Sequence, residues 1–419
     1  MILKKKNKFS QFAALAIVLM MGANYANALD LVGAFTLAQD IDPKFQAAKS
    51  QNKVTTSQAL SDRLSYLPSF SYNRQQLPNF SSTTSTSAMT QPIFNLQALG
   101  QVAQGGPTYT LAKASLDAAS QDLATRTVNA VVQIVLANET IRANQAQIAA
   151  LESQAQGAKR KYELGQGTVT DMLDVQVRFE QAKANDLTLR ANLQAAQDQF
   201  YAITGQYPAT NDFILPYRHE KFSMNSLAAI LEKVAKDNPS IVSAKANESL
   251  AKYNVAISAS NWTPTLGYTL SKSNYAGTQT INNGLTLTVP INASNFVNTL
   301  GSVAAYEKTT NDREAAETQA KLDAQRLYAL VEAGQETVRI KAQASDIAKQ
   351  SVVANQKSYE GGVKSTTDVL IAIGTQFQAR VDYVQSVTQQ GANLLNLLLV
   401  SAEDPVQAVQ QTQAFLFRK

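Results

Sequence analysis

The sequence predicts an α+β fold in which long helices carry four β-strands per chain, arranged as two copies of one unit. Three observations support this prediction. Ordered blocks of residues recur at an offset close to 197 positions. Short segments after a proline alternate apolar and polar residues with the period of a strand. Two very long stretches are rich in Ala and Gln and contain few helix breakers.

The clearest repeated block is a segment predicted to be a turn between two helices. Tyr162-Glu163-Leu164-Gly165, ending at Thr170-Asp171-Met172-Leu173, returns as Tyr359-Glu360-Gly361-Gly362, ending at Thr367-Asp368-Val369-Leu370. An ordered series of such matches indicates duplication rather than chance. We therefore divide the chain into a signal peptide (1–28), a first repeat (29–206), a connector (207–223), a second repeat (224–403) and a C-terminal tail (404–419).

The first 28 residues have the features of a cleaved export signal. A positive segment, an apolar segment and an A-x-A cleavage site follow one another, at Lys4 to Lys8, Phe12 to Met21 and Ala26-Asn27-Ala28. The apolar part is shorter than the ~20 residues of a spanning helix. No Cys follows it, so the mature chain, starting near Leu29, is expected to be exported without a lipid anchor. No later apolar stretch reaches spanning length, so entry into a membrane would require strands.

Each repeat is predicted to begin with a helix followed by two strands. In the first repeat, Asp42-Pro43 suits a helix start and Pro68 a helix end. Beyond it, Phe70 and Tyr72 alternate with polar residues, and Ser81 to Gln91 is a candidate returning strand. In the second repeat, apolar and polar residues alternate clearly on both sides of Asn282-Asn283-Gly284, which is predicted to be the turn. The apolar positions of the two predicted strands are Leu266, Tyr268, Leu270, Leu285, Leu287, Val289 and Ile291.

The remaining segments are predicted to be long helices. Asn95 to Tyr162 would span ~100 Å as one helix, with a break at Gly105-Gly106-Pro107 that is either a kink or an inserted loop. After a short turn, a second helix runs to about Ile203. The second repeat follows the same plan over 295–359 and 367–401, and the Gln-rich segment 407–419 is expected to be loosely ordered. Ordinary coiled coils would explain these helices but not the strands.

Charge and composition exclude several functions. The net charge is +5, but four lysines and no acid lie in the first 28 residues, so the remainder is close to neutral and no nucleic-acid partner is expected. There is no Cys, and the one His, His219, lies in the predicted connector, which excludes thiolate and His-pair metal sites. Asp171 and Asp174 are paired carboxylates without a nucleophile or phosphate loop, so neither enzyme activity nor a cofactor is predicted.

Four strands in one chain cannot close a membrane barrel. Outer-membrane barrels need at least eight strands, and an open sheet leaves two edges that lipid cannot satisfy. The strands must therefore either pair within a soluble domain or combine with those of other chains. Two, three or four chains would each close a barrel.

The duplication, the hairpins and the repeated Tyr-x-x-Gly…Asp turn together resemble the TolC family of outer-membrane efflux proteins, from about Leu29 to Ser401. The resemblance implies a homotrimer whose twelve-stranded β-barrel lies in the lipid of the Gram-negative outer membrane. It also implies a long α-helical coiled-coil tunnel through the periplasm. Such proteins are exit ducts of tripartite efflux or type I secretion systems and meet a periplasmic adaptor and an inner-membrane transporter.

The resemblance also assigns roles at the two helix turns, whose tips contain Gly165, Gly167, Gly361 and Gly362. Asp368 matches an aspartate that, repeated around the three-fold axis, narrows and charges the periplasmic aperture. The family's second aspartate is Ile371 here, and Asp174 is the candidate to supply the other charge. In the family, contacts between helix pairs hold the aperture closed. The residues at the corresponding positions here are Asp171, Tyr359 and Lys364. Lys at this position replaces Arg and loses the bidentate geometry of a guanidinium.

One competing interpretation fits the helices alone. A soluble periplasmic coiled-coil adaptor or assembly protein without a pore would be extracted without detergent and would conduct no ions. The duct interpretation predicts detergent-dependent trimers in the outer membrane.

Overall fold

The computed structural model describes residues 30–76, 83–209, 212–216, 222–275 and 277–417. The predicted signal peptide and His219 lie outside the described residues. The first repeat contains α1 (Leu31–Ile41), α2 (Pro43–Leu64), β1 (Ser69–Gln76), β2 (Thr83–Phe94), α3 (Leu96–Glu163) and α4 (Val169–Thr204). The second contains α5 (Leu227–Asp237), α6 (Pro239–Ser260), β3 (Thr265–Tyr275), β4 (Thr278–Thr288), α7 (Ser294–Glu360) and α8 (Thr366–Val400), and α9 (Pro405–Phe417) follows.

The same cap starts the second helix of each repeat. Asp42 accepts a hydrogen bond from the Phe45 amide at 2.7 Å, and Pro43 takes the first helical position, where its missing N–H is no loss. Asn238 caps α6 in the same way, accepting from the Ser240 amide at 3.0 Å ahead of Pro239. The helix start predicted at Asp42-Pro43 is confirmed, and the cap is repeated 196 residues later.

The four strands form one antiparallel sheet in the order β1-β2-β3-β4. Met89 on β2 lies opposite Phe70 on β1 and opposite Leu270 on β3, so the hairpins of the two repeats are joined directly. Strands β1 and β4 form the two edges of the sheet. Alternation puts one apolar set on a single face, where the side chains are exposed: Phe70, Tyr72, Ile281, Leu285 and Leu287.

The turn predicted at Asn282-Asn283-Gly284 is wrong. These residues lie inside β4, where Asn283 pairs with Leu270. The hairpin turns instead at Gly277, whose φ of 88° is a conformation that residues with a side chain rarely adopt. Asn-Gly is a strong turn signal by itself, but here the cross-strand pairs of β3 set the register.

Helices α3 and α7 extend from the sheet with 68 and 67 residues, and the shorter α4 and α8 pack back along them. At ~1.5 Å per residue, α3 and α7 are each about 100 Å long. An inserted loop at Gly105-Gly106-Pro107 is wrong, since α3 runs through these residues as a helix. Here α2 packs so closely on α3 that a Cβ on Gly105 would lie 2.7 Å from the Ala59 carbonyl oxygen. Packing by α2 and α6 along this part of α3 outweighs the poor helix propensity of the three residues.

The C-terminal segment is not loosely ordered. Residues 405–417 form α9, with Ala408, Val409, Thr412 and Leu416 buried on one face. Leu416 comes so near to Gly391 of α8 that a Cβ there would lie 2.7 Å from its Cδ2. The apolar residues have helical spacing, and this weak signal is hidden among the glutamines.

The predicted polar connector contains a buried anchor. Phe213 is only 9% exposed and lies 5.9 Å from the ring of Phe200 and 5.7 Å from that of Phe417. It belongs to a core cluster shared by α1, α3, α4, α8 and α9. One aromatic residue therefore anchors the connector to the packed helices. Within the described ranges, no helix combines the length and hydropathy needed to cross a membrane.

We predict that Gly105→Ala destabilises the protein by about 1–3 kcal/mol, because the added Cβ would lie 2.5 Å from the Arg63 Cγ and force α2 away from α3. Gly106→Ala is the matched control, since nothing lies within 4 Å of its Cβ position. It should stabilise α3 by about 0.5–1 kcal/mol. Thermal unfolding followed by helical circular dichroism measures both, and equal shifts would contradict the close helix contact.

Candidate functional site at the helix tips

Both tips end their first helix with the same hydrogen-bond pattern. At the first, Gly165 has a φ of 69°, its amide donates to the Tyr162 carbonyl at 2.9 Å, and the Gln166 amide donates to the Lys161 carbonyl at 2.8 Å. At the second, Gly362 has a φ of 75° and its amide donates to the Tyr359 carbonyl at 3.1 Å. These are Schellman motifs, which require the left-handed conformation that glycine adopts freely.

The two other tip glycines have different roles. A Cβ on Gly167 would lie 3.2 Å from the Lys161 Cβ, so glycine keeps this turn tight. Gly361 has an ordinary φ of −78° and occupies the C-cap position of α7. The structure therefore places all four predicted glycines in the tips, but it gives the left-handed position to Gly165 and Gly362.

The second helix of each tip starts with a hydroxyl cap paired with an aspartate. Thr168 accepts from the Asp171 amide at 3.0 Å, and its hydroxyl donates to the Asp171 carboxylate at 2.6 Å. Ser365 and Asp368 form a complete capping box, in which the Asp368 Oδ2 accepts the Ser365 amide at 2.9 Å and the Ser365 hydroxyl at 2.8 Å. Asp171 and Asp368 are thus repeat equivalents that fix the start of α4 and α8.

Asp368 is held as a carboxylate. The hydrogen bonds from the Ser365 amide and hydroxyl lower the pKa of Asp368 below its ordinary value of 3.8, and the Lys364 ammonium, 3.5 Å away, lowers it further. The charge also lies at the N-terminus of α8, where the helix dipole favours an anion. Asp368 therefore presents a negative charge at the tip at neutral pH.

Tyr359 connects the two tips within one chain. The Lys161 ammonium of α3 lies 3.6 Å from the centre of the Tyr359 ring, a cation–π contact. The ring also packs against an apolar cluster in which all four long helices meet, formed around Leu151, Ala182, Val369 and Ile373. Tyr359 is thus a structural bridge between the tips, and Lys161 is a partner that sequence reasoning missed.

The three predicted latch residues are not joined to one another within one chain. Asp171 bonds to Thr168, Tyr359 contacts Lys161, and Lys364 pairs with Asp368. Among the described residues, no hydrogen bond or ion pair links Asp171, Tyr359 and Lys364. A latch built from Asp171 and Lys364 would therefore have to form between chains.

Asp174 and Ile371 occupy equivalent positions in the two repeats, 197 residues apart. Both line one groove between α4 and α8, together with Arg178 and Leu370. Ile371 is 63% exposed, so an apolar side chain faces solvent where the first repeat has a carboxylate. The groove therefore brings Asp174 beside the position at which the second repeat lacks a charge.

A buried charged group further along the long helices was missed by the sequence analysis. Glu139 on α3 is 5% exposed and accepts hydrogen bonds from Arg142 on its own helix and Arg380 on α8. The three residues recur 197 positions away as Glu336, Arg339 and Lys183, a signal that the repeat alignment contains. Across the described ranges, no group of three or more His, Asp or Glu side chains is placed to hold a metal ion.

Comparison with known proteins was made by family, by sequence and by structure. A family model described as outer membrane efflux protein matches residues 36–206 and 230–402. The alkaline protease secretion protein AprF of Pseudomonas aeruginosa is 26% identical over 381 residues, which cover 83% of this chain and 79% of AprF. The outer membrane protein TolC of Vibrio cholerae is 22% identical over 408 residues, which cover 90% of this chain and 93% of TolC.

Solved structures share the fold at low sequence identity. The outer-membrane channel OprN superposes with a TM-score of 0.76 at 14% identity, covering 90% of each chain. The outer membrane protein VceC of Vibrio cholerae superposes with a TM-score of 0.75 at 15% identity, covering 89% of this chain and 96% of VceC. The family and fold are those of channel proteins rather than enzymes.

We predict that Asp368→Ala raises deuterium uptake at Ser365 and in the first turn of α8, because it removes the acceptor of the capping box. Hydrogen-exchange mass spectrometry of the detergent-solubilised protein measures this. Asp174→Ala is the control, since no hydrogen bond joins its carboxylate to another described residue, and uptake around it should not change.

The same measurement has a pH dependence whose sign follows from the lowered pKa of Asp368. A carboxylate whose pKa is lowered in the folded state stabilises the helix start at any pH above its ordinary pKa. This stabilisation is lost as the pH falls through the lowered pKa. After correction for intrinsic rates, protection of the first turn should therefore fall only below about pH 4. Loss of protection near neutral pH would contradict the assignment.

Proposed function

The chain belongs to the outer membrane efflux protein family, and we propose that three copies of it form the outer-membrane exit duct of an efflux or type I secretion system. The observation that carries the proposal is a four-stranded sheet with two open edges and an apolar outer face, attached to helices about 100 Å long. Three such sheets make a twelve-stranded barrel, and the helices continue it as a tunnel into the periplasm.

Closure between chains follows from the edges of the sheet. β1 and β4 each pair on one side only, so their outer backbone groups need partners if the sheet enters lipid. The strands alternate in direction, so β4 of one copy and β1 of the next meet antiparallel, as all other pairs in the sheet do. The family supports three copies rather than two or four.

The two faces of the sheet differ as a barrel wall requires. Phe70, Leu285 and Leu287 are 77%, 66% and 65% exposed on one face, which suits contact with acyl chains. The opposite face carries polar side chains such as Ser71, Asn73 and Thr286, which suit a water-filled interior. In this proposal the chain consists of a signal peptide (1–28), two repeats (29–206 and 224–403), a connector (207–223) and a C-terminal tail (404–419).

The helix tips are proposed as the periplasmic aperture. Around a three-fold axis, Asp368 would supply three carboxylates, and Asp174 three more from the first repeat, since Ile371 supplies none. Like charges held close together repel one another and attract multivalent cations. Asp171 and Lys364 of neighbouring copies, with Tyr359, would form the latch. Exposed pairs of this kind contribute little free energy, so a partner can open them.

The partners of this duct are proposed by class. A periplasmic adaptor would contact the tunnel or its tips, and an inner-membrane transporter would deliver the substrate. One relative is an alkaline protease secretion protein, so exported proteins are one candidate substrate class and small toxic compounds another. The apolar outer face of the sheet and the family match favour a duct over a soluble coiled-coil adaptor without a pore.

We predict that Leu285→Arg on the lipid face destabilises the inserted protein by about 2 kcal/mol, because a guanidinium must then lie in the hydrocarbon layer. Thr286→Arg is the matched control on the neighbouring strand position, whose side chain faces the interior. The yield of heat-modifiable, detergent-dependent trimer in outer-membrane fractions compares the two. Equal yields, or a wild-type protein extracted without detergent, would contradict the barrel.

Planar-bilayer recording tests the duct and its aperture. The wild-type protein should form channels that multivalent cations block from the periplasmic side. Asp368→Ala should weaken this block, whereas Asp323→Ala, far from the tips on α7, should leave it unchanged. Absence of any channel would contradict the duct, and an unchanged block in Asp368→Ala would contradict the aperture assignment alone.

A further inference from the structure

The strands and their hairpin turns contain two charged residues, and both are cations. Residues 68–94 and 262–292, which include all four strands, have no Asp, Glu or His. Their charged residues are Arg74 on β1 and Lys272 on β3, and both side chains are exposed. The sheet segments therefore carry a positive charge that no acidic residue of their own offsets.

Strand alternation puts both cations on the apolar face of the sheet. Arg74 lies four residues from Phe70 on β1, and Lys272 lies two residues from Leu270 on β3, so even spacing keeps each cation on the face of its apolar neighbour. Phe70 and Leu270 both pair with Met89 of β2, which makes this one face. In the proposed barrel the two cations therefore face lipid rather than the water-filled interior.

The register also puts the cations at the end of the sheet furthest from the long helices. Lys272 pairs with Ser87, and Arg74 pairs with Ser85, which lies two residues further toward the outer end of β2. At ~3.4 Å per residue, Lys272 is about 20 Å and Arg74 about 27 Å from the level of Leu266, at the upper edge of an apolar band ~25 Å tall. Because the helices lead into the periplasm, this edge lies in the outer leaflet.

An apolar groove lies on the lipid face beside Lys272. Its volume is about 420 Å³, and its lining includes Phe70, Tyr72, Met89, Leu270 and Lys272. Phe70 and Tyr72 are 77% and 67% exposed, so the groove is open to the surroundings of the sheet. Apolar walls with a cation at the outer end suit a molecule that has an acyl chain below an anionic head.

Small hydroxyl residues separate the two cations. Ser85 lies beside Arg74 and Ser87 beside Lys272, both on the strand between them. With strands ~4.8 Å apart and ~6.8 Å between successive residues of one face, the Cα atoms of Arg74 and Lys272 are about 12 Å apart. Two long side chains can reach one group above the serines, whose hydroxyls are further donors. Such a set of donors suits a phosphate, which a guanidinium can bind through two hydrogen bonds.

We propose that each copy binds one lipopolysaccharide molecule of the outer leaflet, with a phosphate held by Arg74 and Lys272 and an acyl chain in the groove beside Phe70, Met89 and Leu270. The inference rests on the proposed barrel and names the lipid partner of its outer edge. Charge complementarity supports this occupant, because lipopolysaccharide carries phosphates directly above its acyl chains. A phospholipid of the inner leaflet would have its headgroup at the opposite edge of the apolar band.

Lipid titration of purified trimers tests this site. Delipidated, detergent-solubilised trimers are mixed with rough-type lipopolysaccharide, and bound lipid is counted by native mass spectrometry. The wild-type trimer should bind up to three molecules, and about thirtyfold more weakly when the phosphates have been removed enzymatically. Arg74→Gln or Lys272→Gln should weaken binding about fivefold, and the two together about thirtyfold, as expected from the usual contribution of a basic residue at an anionic lipid surface.

Two further variants control for charge and for assembly. Lys53→Gln with Lys252→Gln removes two exposed cations from α2 and α6, outside the sheet, and should leave binding unchanged. Arg74→Lys with Lys272→Arg keeps both charges and should retain most of the binding. This exchange separates the loss of a cation from poor assembly of the barrel. If the double glutamine variant does not assemble, the single variants and the wild-type preference for the phosphorylated glycolipid decide.

Three results would overturn the inference. They are equal binding of the phosphorylated and dephosphorylated glycolipid, equal binding of phosphatidylglycerol in place of lipopolysaccharide, and unchanged binding in the variants that lack Arg74 or Lys272. A wild-type protein that yields no trimers would instead overturn the proposed function.

Discussion

The structure depends on one constraint, which is that the backbone groups at the edges of the sheet need hydrogen-bond partners. Lipid supplies none, so β1 and β4 require other strands, and a chain with four strands requires other chains. Closure then determines the rest of the assembly. The long helices α3 and α7 begin two residues and six residues after β2 and β4, so they inherit the spacing of the barrel and must pack as a ring.

Duplication makes this ring possible with few distinct contacts. Asp42 and Asn238 cap equivalent helices, and Gly165 and Gly362 end equivalent ones. Each of these local structures is used twice in a chain, so the two halves of a chain are nearly equivalent. The repeats also differ in charge at the tips, as at the equivalent positions of Asp174 and Ile371.

The features that the sequence predicted well are those set by local chemistry or by repetition. The turn glycines, the helix start at Asp42-Pro43 and the long helices depend on neighbours in sequence, and the repeat alignment reinforces them. The failures have tertiary causes. Helix α3 continues through Pro107 because helices pack along both sides of it, and the Asn283-Gly284 pair stays in β4 because β3 sets its register. The sequence also did not predict that, within the chain, Asp171, Tyr359 and Lys364 contact Thr168, Lys161 and Asp368 rather than one another.

The position of charge along the tunnel separates rigid from movable parts. Only 16% of the residues are charged, so the few ion pairs can be considered individually. Glu139 is buried and accepts hydrogen bonds from Arg142 on α3 and Arg380 on α8, and removing these partners would leave a desolvated carboxylate, which is strongly unfavourable. Lys364 and Asp368 at the tip are exposed, and water compensates for their separation. The wall of the tunnel should therefore resist change under conditions that rearrange its tips, as a duct that opens at one end requires.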